Sequence, residues 1–407
     1  MYFILAWRNI WRNKRRSIIT ILSIAFAVLL ACVMRSLQLG SYNRMIENAA
    51  CFYTGYIQVH KNGYWLDKTL DNSFENNAKL INTIANTKGV KVAVPRLESF
   101  ALASYSTKTK GALILGIDPI KEDSLTKVKS KIIEGEYINN GDKSVMVAEG
   151  LAKYLKLGVG DSIVLIGQGY HGANAAAIYA IKGIMKFPVP MQNNQTVYLP
   201  LKEAQWFFDA PNQLTSISLV VDQAKNVDRI VSDLSAHIDT KALEVMGWRD
   251  LMPDLVQGIE IDNISGQIML WVLYAVIGFG MFGTFLMMTA ERMYEFGVMM
   301  SVGMERLKMQ FIVFMEMGMM ASIAVLTGIG IALPFLVYYH LNPIFFSGES
   351  AKAIENFGIE PAYFFSLDPV IFYSQAWTIF FMAFILGFYP LFIIQKLKPV
   401  EAMREAL

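Results

Sequence analysis

The chain has 407 residues, of which 54% are apolar and 17% are charged, and its mean hydropathy is +0.37. Because soluble proteins carry about 25% charged residues, this composition excludes a disordered chain and argues against an ordinary soluble enzyme. The 36 basic and 34 acidic residues leave a net charge of +2, which argues against a nucleic-acid-binding protein. Two cysteines cannot form a disulfide framework.

The first sixteen residues have the pattern of a helix that lies in a membrane interface. On a helical wheel one face is apolar and consists of Phe3, Ile4, Trp7, Ile10 and Trp11. Another face is basic and consists of Arg8, Arg12, Arg15 and Arg16. We therefore predict an interfacial helix over residues 1–16, with its tryptophans at the lipid headgroups and its arginines on phosphates. The alternative is a basic flank that is helical only by coincidence.

Four apolar segments are long enough to cross a membrane, which takes about 20 helical residues. Apart from Arg35 near the end of the first segment, their only charged residue is Glu316. An acid inside a span is costly and often functional. Glu316 is close to the end of its segment, however, so we favour a structural role in which it snorkels or contacts Arg306. The predicted spans are residues 17–40, 266–290, 311–339 and 370–395.

The basic residues predict the orientation, because short cytoplasmic flanks collect lysine and arginine. The flank before the first span holds five basic residues and no acid, and the tail 396–407 holds three basic residues. The connection 340–369 holds one lysine and four acids. Both termini and the connection 291–310 are therefore predicted to be cytoplasmic, and residues 41–265 and 340–369 to be outside. An uncleaved anchor is favoured over a cleaved signal peptide.

Residues 41–265 have the polarity of a soluble domain, and strand-like stretches alternate there with helical ones. This pattern predicts a mixed α+β domain between the first and second membrane helices. The predicted strands are 56–60, 90–94, 112–117, 144–147, 162–166, 177–184, 196–199 and 216–221, and the predicted helices are 41–51, 77–87, 149–157, 202–208 and 227–238.

Catalysis within this chain is not expected. The four histidines are far apart and lack metal-ligand spacing, and no HExxH, GxSxG or catalytic Cys–His pattern occurs. No GxxxxGK[ST] sequence occurs either, so the chain is not expected to bind a nucleotide through such a loop. For His60, at the end of a predicted strand, a surface or hydrogen-bonded histidine is favoured over a metal ligand.

The connection 291–310 carries the most informative pattern. Apolar residues recur at three- and four-residue spacing between charged ones, which predicts one amphipathic helix that leads into the third span. Such a helix is suited to a groove of another protein, although a membrane-surface helix fits the composition equally well. The apolar stripe consists of Met293, Phe296, Met300, Met304, Leu307 and Phe311.

This connection, ERMYEFGVMMSVGMERLKM, resembles the coupling helix of ABC transporter permeases of the MacB, LolC/LolE and FtsX superfamily. The opening LAWRNIWRNKRR resembles the elbow helix of the family, and VMVAEGLAKYLKLGVGDSIVL and VYLPLKEAQ resemble its extracytoplasmic domain. The tail KLKPVEAMRE and the four-span layout agree as well. The resemblance implies that an ATPase docks at Glu291, Arg292, Glu295, Phe296, Gly297 and Gly303.

The resemblance also implies an ATP-driven machine that is divided between chains. This chain would bind no cofactor, because a separate cytoplasmic ABC ATPase would bind ATP and magnesium beneath the coupling helix. The permease would pair with a second permease, identical or different, in a bacterial inner membrane. Movement would pass to the outer domain, in which residues of about 100–210 would form an inserted subdomain.

Within the superfamily, a chain of this length without a fused ATPase is most similar to the lipoprotein-releasing permeases. In that group a lipoprotein enters from the outer leaflet between the first and second helices and passes to a periplasmic carrier. The alternatives are a MacB-like efflux permease for peptides or antibiotics and an FtsX-like regulator of an external hydrolase. The apolar residues at the outer ends of these helices are predicted to contact acyl chains, although exposure to membrane lipid or packing in a dimer explains them equally well. These residues are Met34, Leu37, Leu39, Met45, Ile264, Ile268 and Met269.

Overall fold

The computed structural model describes residues 2–12, 14–50, 54–187, 189–349, 351 and 361–398. The predicted helix end at Cys51, residues 352–360 of the predicted outer connection and the tail beyond residue 398 lie outside the described residues. The chain forms two compact units. The helical unit contains residues up to 43, 258–345 and those from 362 onward, and the sheet unit contains residues 44–257 and 346–361.

Among the described residues, four helices have the length and apolar composition needed to cross a membrane, as predicted. They are Lys14–Ala49 (α2), Pro253–Glu291 (α10), Arg306–Leu341 (α12) and Pro369–Lys396 (α13), numbered by their place among all helices of the chain. The helices are α1 (Tyr2–Arg12), α2 (Lys14–Ala49), α3 (Ala78–Ala85), α4 (Pro119–Thr126), α5 (Glu149–Leu155), α6 (Pro190–Asn193), α7 (Leu201–Phe207), α8 (Val227–His237), α9 (Trp248–Leu251), α10 (Pro253–Glu291), α11 (Met293–Ser301), α12 (Arg306–Leu341) and α13 (Pro369–Lys396).

The long helices extend beyond the predicted apolar spans. The helix α2 begins at Lys14, so the basic residues 14–16 belong to α2, and the predicted interfacial helix over residues 1–16 is too long. Lysine and arginine have high helix propensity, so a basic flank continues a helix as readily as an apolar run does. Hydropathy therefore located these helices but not their ends.

The core of the helical unit is formed by residues from all four long helices and from α1. A close approach of α2 and α12 is centred on Gly328, where an added Cβ would lie 2.6 Å from the carbonyl oxygen of Ala25. Because only glycine fits this contact, the backbones of the two helices pack directly against each other. Representative buried residues of this core are Ile10, Val28, Phe285, Met320 and Ile379.

The sheet unit is built on one ten-stranded mixed sheet. Each of the eight predicted strands overlaps an observed strand, and 216–221 agrees with the observed element at both ends. The strands are β1 (Ile57–Lys61), β2 (Phe74–Glu75), β3 (Val90–Tyr105), β4 (Lys108–Ile117), β5 (Ile132–Gly135), β6 (Ser144–Ala148), β7 (Ser162–Gln168), β8 (Asn174–Met185), β9 (Thr196–Pro200), β10 (Gln213–Leu214), β11 (Ser216–Val221), β12 (Leu243–Gly247), β13 (Ile344–Phe345) and β14 (Ala362–Tyr363).

The long strand β3 joins the two halves of this sheet. The strand order is β12-β1-β11-β3-β4-β9-β6-β8-β5, and β7 pairs with β3 and β8. The pairs β4–β9 and β6–β8 are parallel, whereas β3 pairs antiparallel with β11 through its first half and with β4 and β7 further along. The strands β2 and β10 pair separately, as do β13 and β14 in the helical unit.

The sheet unit has more than one hydrophobic core, and the cores divide near residue 96. Residues 57–93 and 214–248 supply one core, which includes Ile57, Leu219 and Trp248. Residues 97–210, together with Leu70, supply the others, which include Leu97 and Phe208. The region predicted as an inserted subdomain thus has its own packing, although its strands belong to the same sheet.

Candidate functional site

The short helix α11 is the central element of the candidate site, and it ends earlier than predicted. It has nine residues and stops at Ser301. Gly303 follows with φ +99°, and the N–H groups of Gly303 and Met304 donate to the carbonyl oxygens of Met300 and Met299 at 3.0 Å. This is a Schellman ending, which requires the left-handed conformation that glycine adopts readily. The prediction of one helix through residues 291–310 is therefore wrong.

The apolar stripe of α11 faces the helical unit itself. Phe296 is 1% exposed and belongs to the helical core, Gly297 is buried, and Met300 packs against the same core. Leu307 and Phe311 are exposed and do not continue this face. The stripe is therefore an intramolecular contact, and the prediction that it lies in the groove of another protein is wrong.

The opposite face of α11 and the turn after it remain open. Tyr294 and Val298 lie on the exposed side of the helix, four residues apart, and Val302 in the turn is 83% exposed. A groove of about 490 Å³ adjoins this face and is lined by α1, α11 and α12, including Leu5, Val298 and Met299. The helical unit thus presents a mixed apolar and charged surface of its own at this site.

A chain of alternating charges ties α11 to its neighbours. Both carboxylate oxygens of Glu295 accept hydrogen bonds from Arg12 on α1, and Glu295 Oε2 lies 3.3 Å from Arg292 Nε. Arg292, between α10 and α11, donates from Nη1 to Glu316 Oε2 on α12 at 2.6 Å. Arg292 and Glu316 are buried, whereas Arg12 and Glu295 are partly exposed. We call Arg12, Glu295, Arg292 and Glu316 the charge chain.

The buried acid Glu316 has a structural partner, but not the predicted one. Its ion pair is with Arg292, whereas the guanidinium of Arg306 donates to the carbonyl oxygens of Gln395 (2.7 Å) and Leu397 (3.1 Å). Arg306 therefore binds the end of α13, where a cation also complements the helix dipole. A second ion pair, between Arg16 and Glu291, joins α2 to α10.

The exposed pair of the charge chain, Arg12 and Glu295, stays ionised at neutral pH. Burial by itself would raise the pKa of Glu295, but the hydrogen bond and positive charge of Arg12, together with Arg292, outweigh burial and hold this pKa below its ordinary value. The hydrogen bond from Arg12 to Glu295 likewise raises the pKa of the guanidinium against a smaller opposing effect of burial. The pKa of Glu295 is therefore lower in the folded protein than in the unfolded chain, so its ionised form stabilises the folded state. This stabilisation is complete above the ordinary pKa of a glutamate and is lost as the pH falls through the lowered pKa of Glu295.

The amphipathic helix α1 has two apolar sides rather than one. Trp7 and Trp11 are exposed and contact each other edge to face at 5.8 Å between ring centroids. Ile10, predicted on the same face, is instead fully buried in the helical core. Arg8 is exposed, whereas Arg12 is held by Glu295. The helical wheel thus placed Arg8 and Arg12 on the polar side correctly. It did not separate the exposed tryptophans from Ile10, which packs inside the helical unit.

The residues predicted to contact acyl chains are only partly brought together. Ile264, Ile268 and Met269 on α10 are all exposed. On α2, Met34 and Leu39 are half-buried, and Leu37 packs against the helical core. Met45 belongs to the sheet unit, so it is not part of this cluster in the helical unit.

A polar network that the sequence did not predict holds the same ends of α2 and α10 together. Arg35 Nη1 donates to Asn263 Oδ1 at 2.7 Å, and the hydroxyl of Tyr42 donates to Asp262 Oδ2 at 2.6 Å. Gln38 Nε2 donates to the oxygen of Tyr42 at 2.7 Å and to the carbonyl oxygen of Asp262 at 3.1 Å. The sequence feature that could have indicated this network is a charged residue at the edge of each apolar run, Arg35 and Asp262. We call these five residues the outer latch.

The described residues contain no group of three or more His, Cys, Asp or Glu side chains that could hold a metal ion. His60 is fully buried, and its Nδ1 lies 3.0 Å from Glu244 Oε1. Burial lowers the pKa of His60, against opposing effects of Lys61 and Glu244. It is therefore a paired core histidine and not a surface residue.

Comparison with known protein families agrees with this architecture of apolar helices and a mixed sheet. The model of the MacB-like periplasmic core domain matches residues 17–237, and the model of the FtsX-like permease C-terminal region matches residues 267–399. These matches define a membrane permease subunit. The chain belongs to the MacB, LolC/LolE and FtsX superfamily of ABC transporter permeases, whose members generally work with a cytoplasmic ATPase and form dimers.

Two curated relatives share most of their length with this chain. The lipoprotein-releasing system transmembrane protein LolC of Neisseria meningitidis is 20% identical over 307 residues, which cover 72% of this chain and 71% of that protein. The LolC protein of Xylella fastidiosa is 18% identical over 325 residues, 77% of each chain. The crystal structure of the periplasmic region of MacB from Actinobacillus actinomycetemcomitans aligns with a TM-score of 0.37 and 12% identity, over 53% of this chain and 98% of that one.

Proposed function

We propose that this chain transmits the movement of a separate cytoplasmic ATPase to an extracytoplasmic domain and thereby releases lipid-modified proteins from the inner membrane. The charge chain carries the first part of the proposal, because it links the exposed helix α11 to α1 and α12. The names of the LolC relatives support the second part, since they are lipoprotein-releasing proteins. In the proposed orientation both termini and α11 face the cytoplasm, and the sheet unit is outside.

The proposed coupling begins at the open face of α11. An ATPase that binds Tyr294 and Val298 would displace α11 when it closes around ATP. Glu295 and Arg292 would then pull on α1 and α12, because a buried or bidentate ion pair resists separation. The helices α2 and α10 carry the chain from the helical unit into the sheet unit, and they would pass the movement outward.

Val298→Asp is expected to prevent binding of the ATPase subunit without unfolding the permease. Val298 is on the exposed side of α11, so the new carboxylate is solvated in the free permease. In the complex it would be buried against apolar groups of the ATPase. We expect at least tenfold weaker association, measured by copurification of the two subunits. The matched control is Val159→Asp, because Val159 is an exposed valine of the sheet unit. Equal retention of the ATPase by both variants would show that α11 is not the docking surface.

The proposed substrate entrance lies at the ends of α2 and α10 that the outer latch joins. Exposed apolar residues of α10 flank this network, so a lipid chain could reach the boundary between the two helices from the bilayer. The latch itself is polar and partly exposed. Its opening would separate α2 from α10 on the side where the substrate is proposed to enter.

Ile268→Glu is expected to block release of a lipid-modified substrate, because an ionised carboxylate would lie where an acyl chain must bind. The expected loss is at least tenfold in the release rate from proteoliposomes that contain the permease and its ATPase. Leu341→Glu is the control, since Leu341 is equally exposed at the end of α12 on the same proposed side of the membrane. Unchanged release by a stably inserted Ile268→Glu protein would rule out this acyl site.

Copurification tests the substrate class directly. The permease, isolated with its ATPase from a native membrane, is expected to retain triacylated lipoproteins that mass spectrometry identifies, and ATP is expected to discharge them. Reproducible absence of lipoprotein would contradict the proposal. Enrichment of peptides or antibiotics would favour efflux, and enrichment of an external hydrolase would favour a regulatory role.

A further inference from the structure

A second, larger cavity of the helical unit lies between the start of α2 and the last turns of α10. It has a volume of about 1030 Å³, at the upper end of the range of roughly 300–1,000 Å³ that ligand pockets occupy. The start of α2 and the last turns of α10 form its walls, so it is next to the charged ends of both helices. The cavity shares Arg12 with the charge chain, but neither the proposed docking face nor the proposed substrate entrance includes its apolar half.

One end of the cavity is cationic. Arg12, Lys14, Arg15 and Arg16 line it, and Glu291 is the acid in its lining. Arg12 and Arg16 are held by ion pairs with acids of the coupling segment. Within the described part of the chain, Lys14 and Arg15 are exposed and form no ion pair. Two positive charges are therefore available to an anionic group.

The other end of the cavity is apolar and open. Phe279 and Met287 are exposed to it, and Ile19 faces them from α2. An added Cβ at Gly280 or Gly283 would meet nothing within 4 Å, so these glycines leave a shallow channel along α10. In a bilayer, hydrocarbon rather than water fills such a space.

We propose that this cavity binds an anionic phospholipid of the cytoplasmic leaflet. Lys14 and Arg15 bind the headgroup phosphate, and an acyl chain lies against Gly280 and Gly283. Basic pockets between membrane helices on the cytoplasmic side have the right chemistry for anionic headgroups. Only a lipid matches both ends, because inorganic phosphate leaves the apolar half empty. The inference needs α2 and α10 to cross the membrane, but it is independent of the proposed lipoprotein substrate.

Charge also favours a lipid over a second copy of this chain. In a two-fold dimer each subunit presents the same patch to the other. Packing of this cavity against its own copy would bring the unpaired Lys14 and Arg15 of both subunits together, which is unfavourable. An anionic headgroup instead compensates these charges.

The test uses the purified full chain in detergent micelles, titrated with phosphatidylglycerol or with phosphatidylcholine, with bound lipid counted by native mass spectrometry. The wild-type protein is expected to prefer phosphatidylglycerol. Loss of two cations in Lys14→Gln/Arg15→Gln is expected to weaken binding about 30-fold, which corresponds to about 1 kcal/mol per charge at 1.4 kcal/mol per tenfold change. Gly283→Leu is expected to abolish binding by filling the channel while the cations stay in place.

Two control variants match these changes outside the cavity. Lys308→Gln removes an exposed cation of α12 that does not line the cavity, and Gly318→Leu adds a side chain at a glycine of the same helix that also has open space around it. Both are expected to bind phosphatidylglycerol like the wild type. Equal affinity for the two lipids, or unchanged binding by the Lys14/Arg15 variant, would overturn the proposal.

Two further outcomes would replace the lipid with another occupant. Displacement of the bound lipid by millimolar inorganic phosphate would mean that the site recognises a free anion. The second outcome combines two results: the wild-type protein binds no phosphatidylglycerol but is a dimer in light scattering, and Gly283→Leu makes it a monomer. This outcome would mean that a second copy fills the cavity. Either result would overturn the lipid assignment.

Discussion

Glu295→Lys is expected to uncouple ATP hydrolysis from substrate release while the ATPase remains bound. The substitution reverses the charge between Arg12 and Arg292, so the two ion pairs that hold α11 to its neighbours become repulsive contacts. The open face of α11 keeps Tyr294 and Val298, so docking is retained. In proteoliposomes we expect ATP hydrolysis within about twofold of the wild type and at least a tenfold loss of lipoprotein released per ATP.

The control for this variant is Glu305→Lys, because Glu305 is an exposed acid of the same connection and, among the residues that the structure describes, forms an ion pair with Lys308 alone. It is expected to release substrate normally, since exposed pairs contribute about 0–1 kcal/mol. Adding Arg12→Glu to Glu295→Lys restores one pair with opposite polarity and is expected to recover part of the coupling. Full coupling in the single Glu295→Lys variant would exclude the charge chain as the transmitting element.

Gly297→Pro is expected to give the same uncoupling by a different route. Gly297 is buried in the middle of α11, and proline there removes a backbone hydrogen bond and costs about 3 kcal/mol or more. The nine-residue helix then loses its shape, although its charges are unchanged. Normal release by this variant would show that transmission does not require an intact α11.

Glu122→Gln is expected to destabilise the sheet unit by about 3 kcal/mol, because it removes the carboxylate hydrogen-bonded to a buried guanidinium and leaves only the more distant Glu98, at 3.8 Å, as a counter-charge among the described residues. Arg96 and Glu122 are both fully buried, and Arg96 donates from Nε and Nη2 to the two carboxylate oxygens at 2.9 and 2.6 Å. Arg96 lies where β3 passes from β11 to β4. We therefore expect amide exchange in β3 and β11 to accelerate by at least a hundredfold in the full-length protein.

The exposed pair of Arg249 and Asp228 supplies the control for Glu122→Gln. Asp228→Asn removes a similar ion pair from the surface of the same unit, and we expect a change of about 0–1 kcal/mol. The triple replacement Arg96→Met, Glu98→Gln and Glu122→Leu is expected to recover much of the stability, because it removes the buried cation together with both acids that pair with it. If Glu122→Gln changed exchange no more than Asp228→Asn, the buried pair would not be a stability determinant.

Much of the fold was predictable from sequence because its elements carry strong hydrophobic periodicity. The four apolar helices and the strand 216–221 are examples. The helix α4 and the strand β12 were missed, because α4 has a polar sequence and β12 has only five residues, too few for an extended alternation. The single sheet was also beyond prediction, since strand order depends on pairing between distant segments.

The candidate site was predictable in position but not in detail. The sequence located the coupling segment and its charged residues, yet it assigned the buried side of α11 to a partner. An amphipathic pattern shows that an apolar neighbour exists, but not whether that neighbour is another chain or the same one. The partner of Glu316 was wrong for a related reason: Arg292 is 24 residues away, and only the packing of α10, α11 and α12 brings it close.

The proposed coupling through the charge chain also predicts a response to voltage. With both acids ionised, the two cations and two anions sum to zero, so a joint displacement of the four side chains carries no net charge across the electric field. A single unpaired charge would exchange about 2.3 kcal/mol with each 100 mV of membrane potential over a full crossing. Movement of Arg12, Glu295, Arg292 and Glu316 together is therefore expected to cost the same energy in an energised membrane as in a depolarised one.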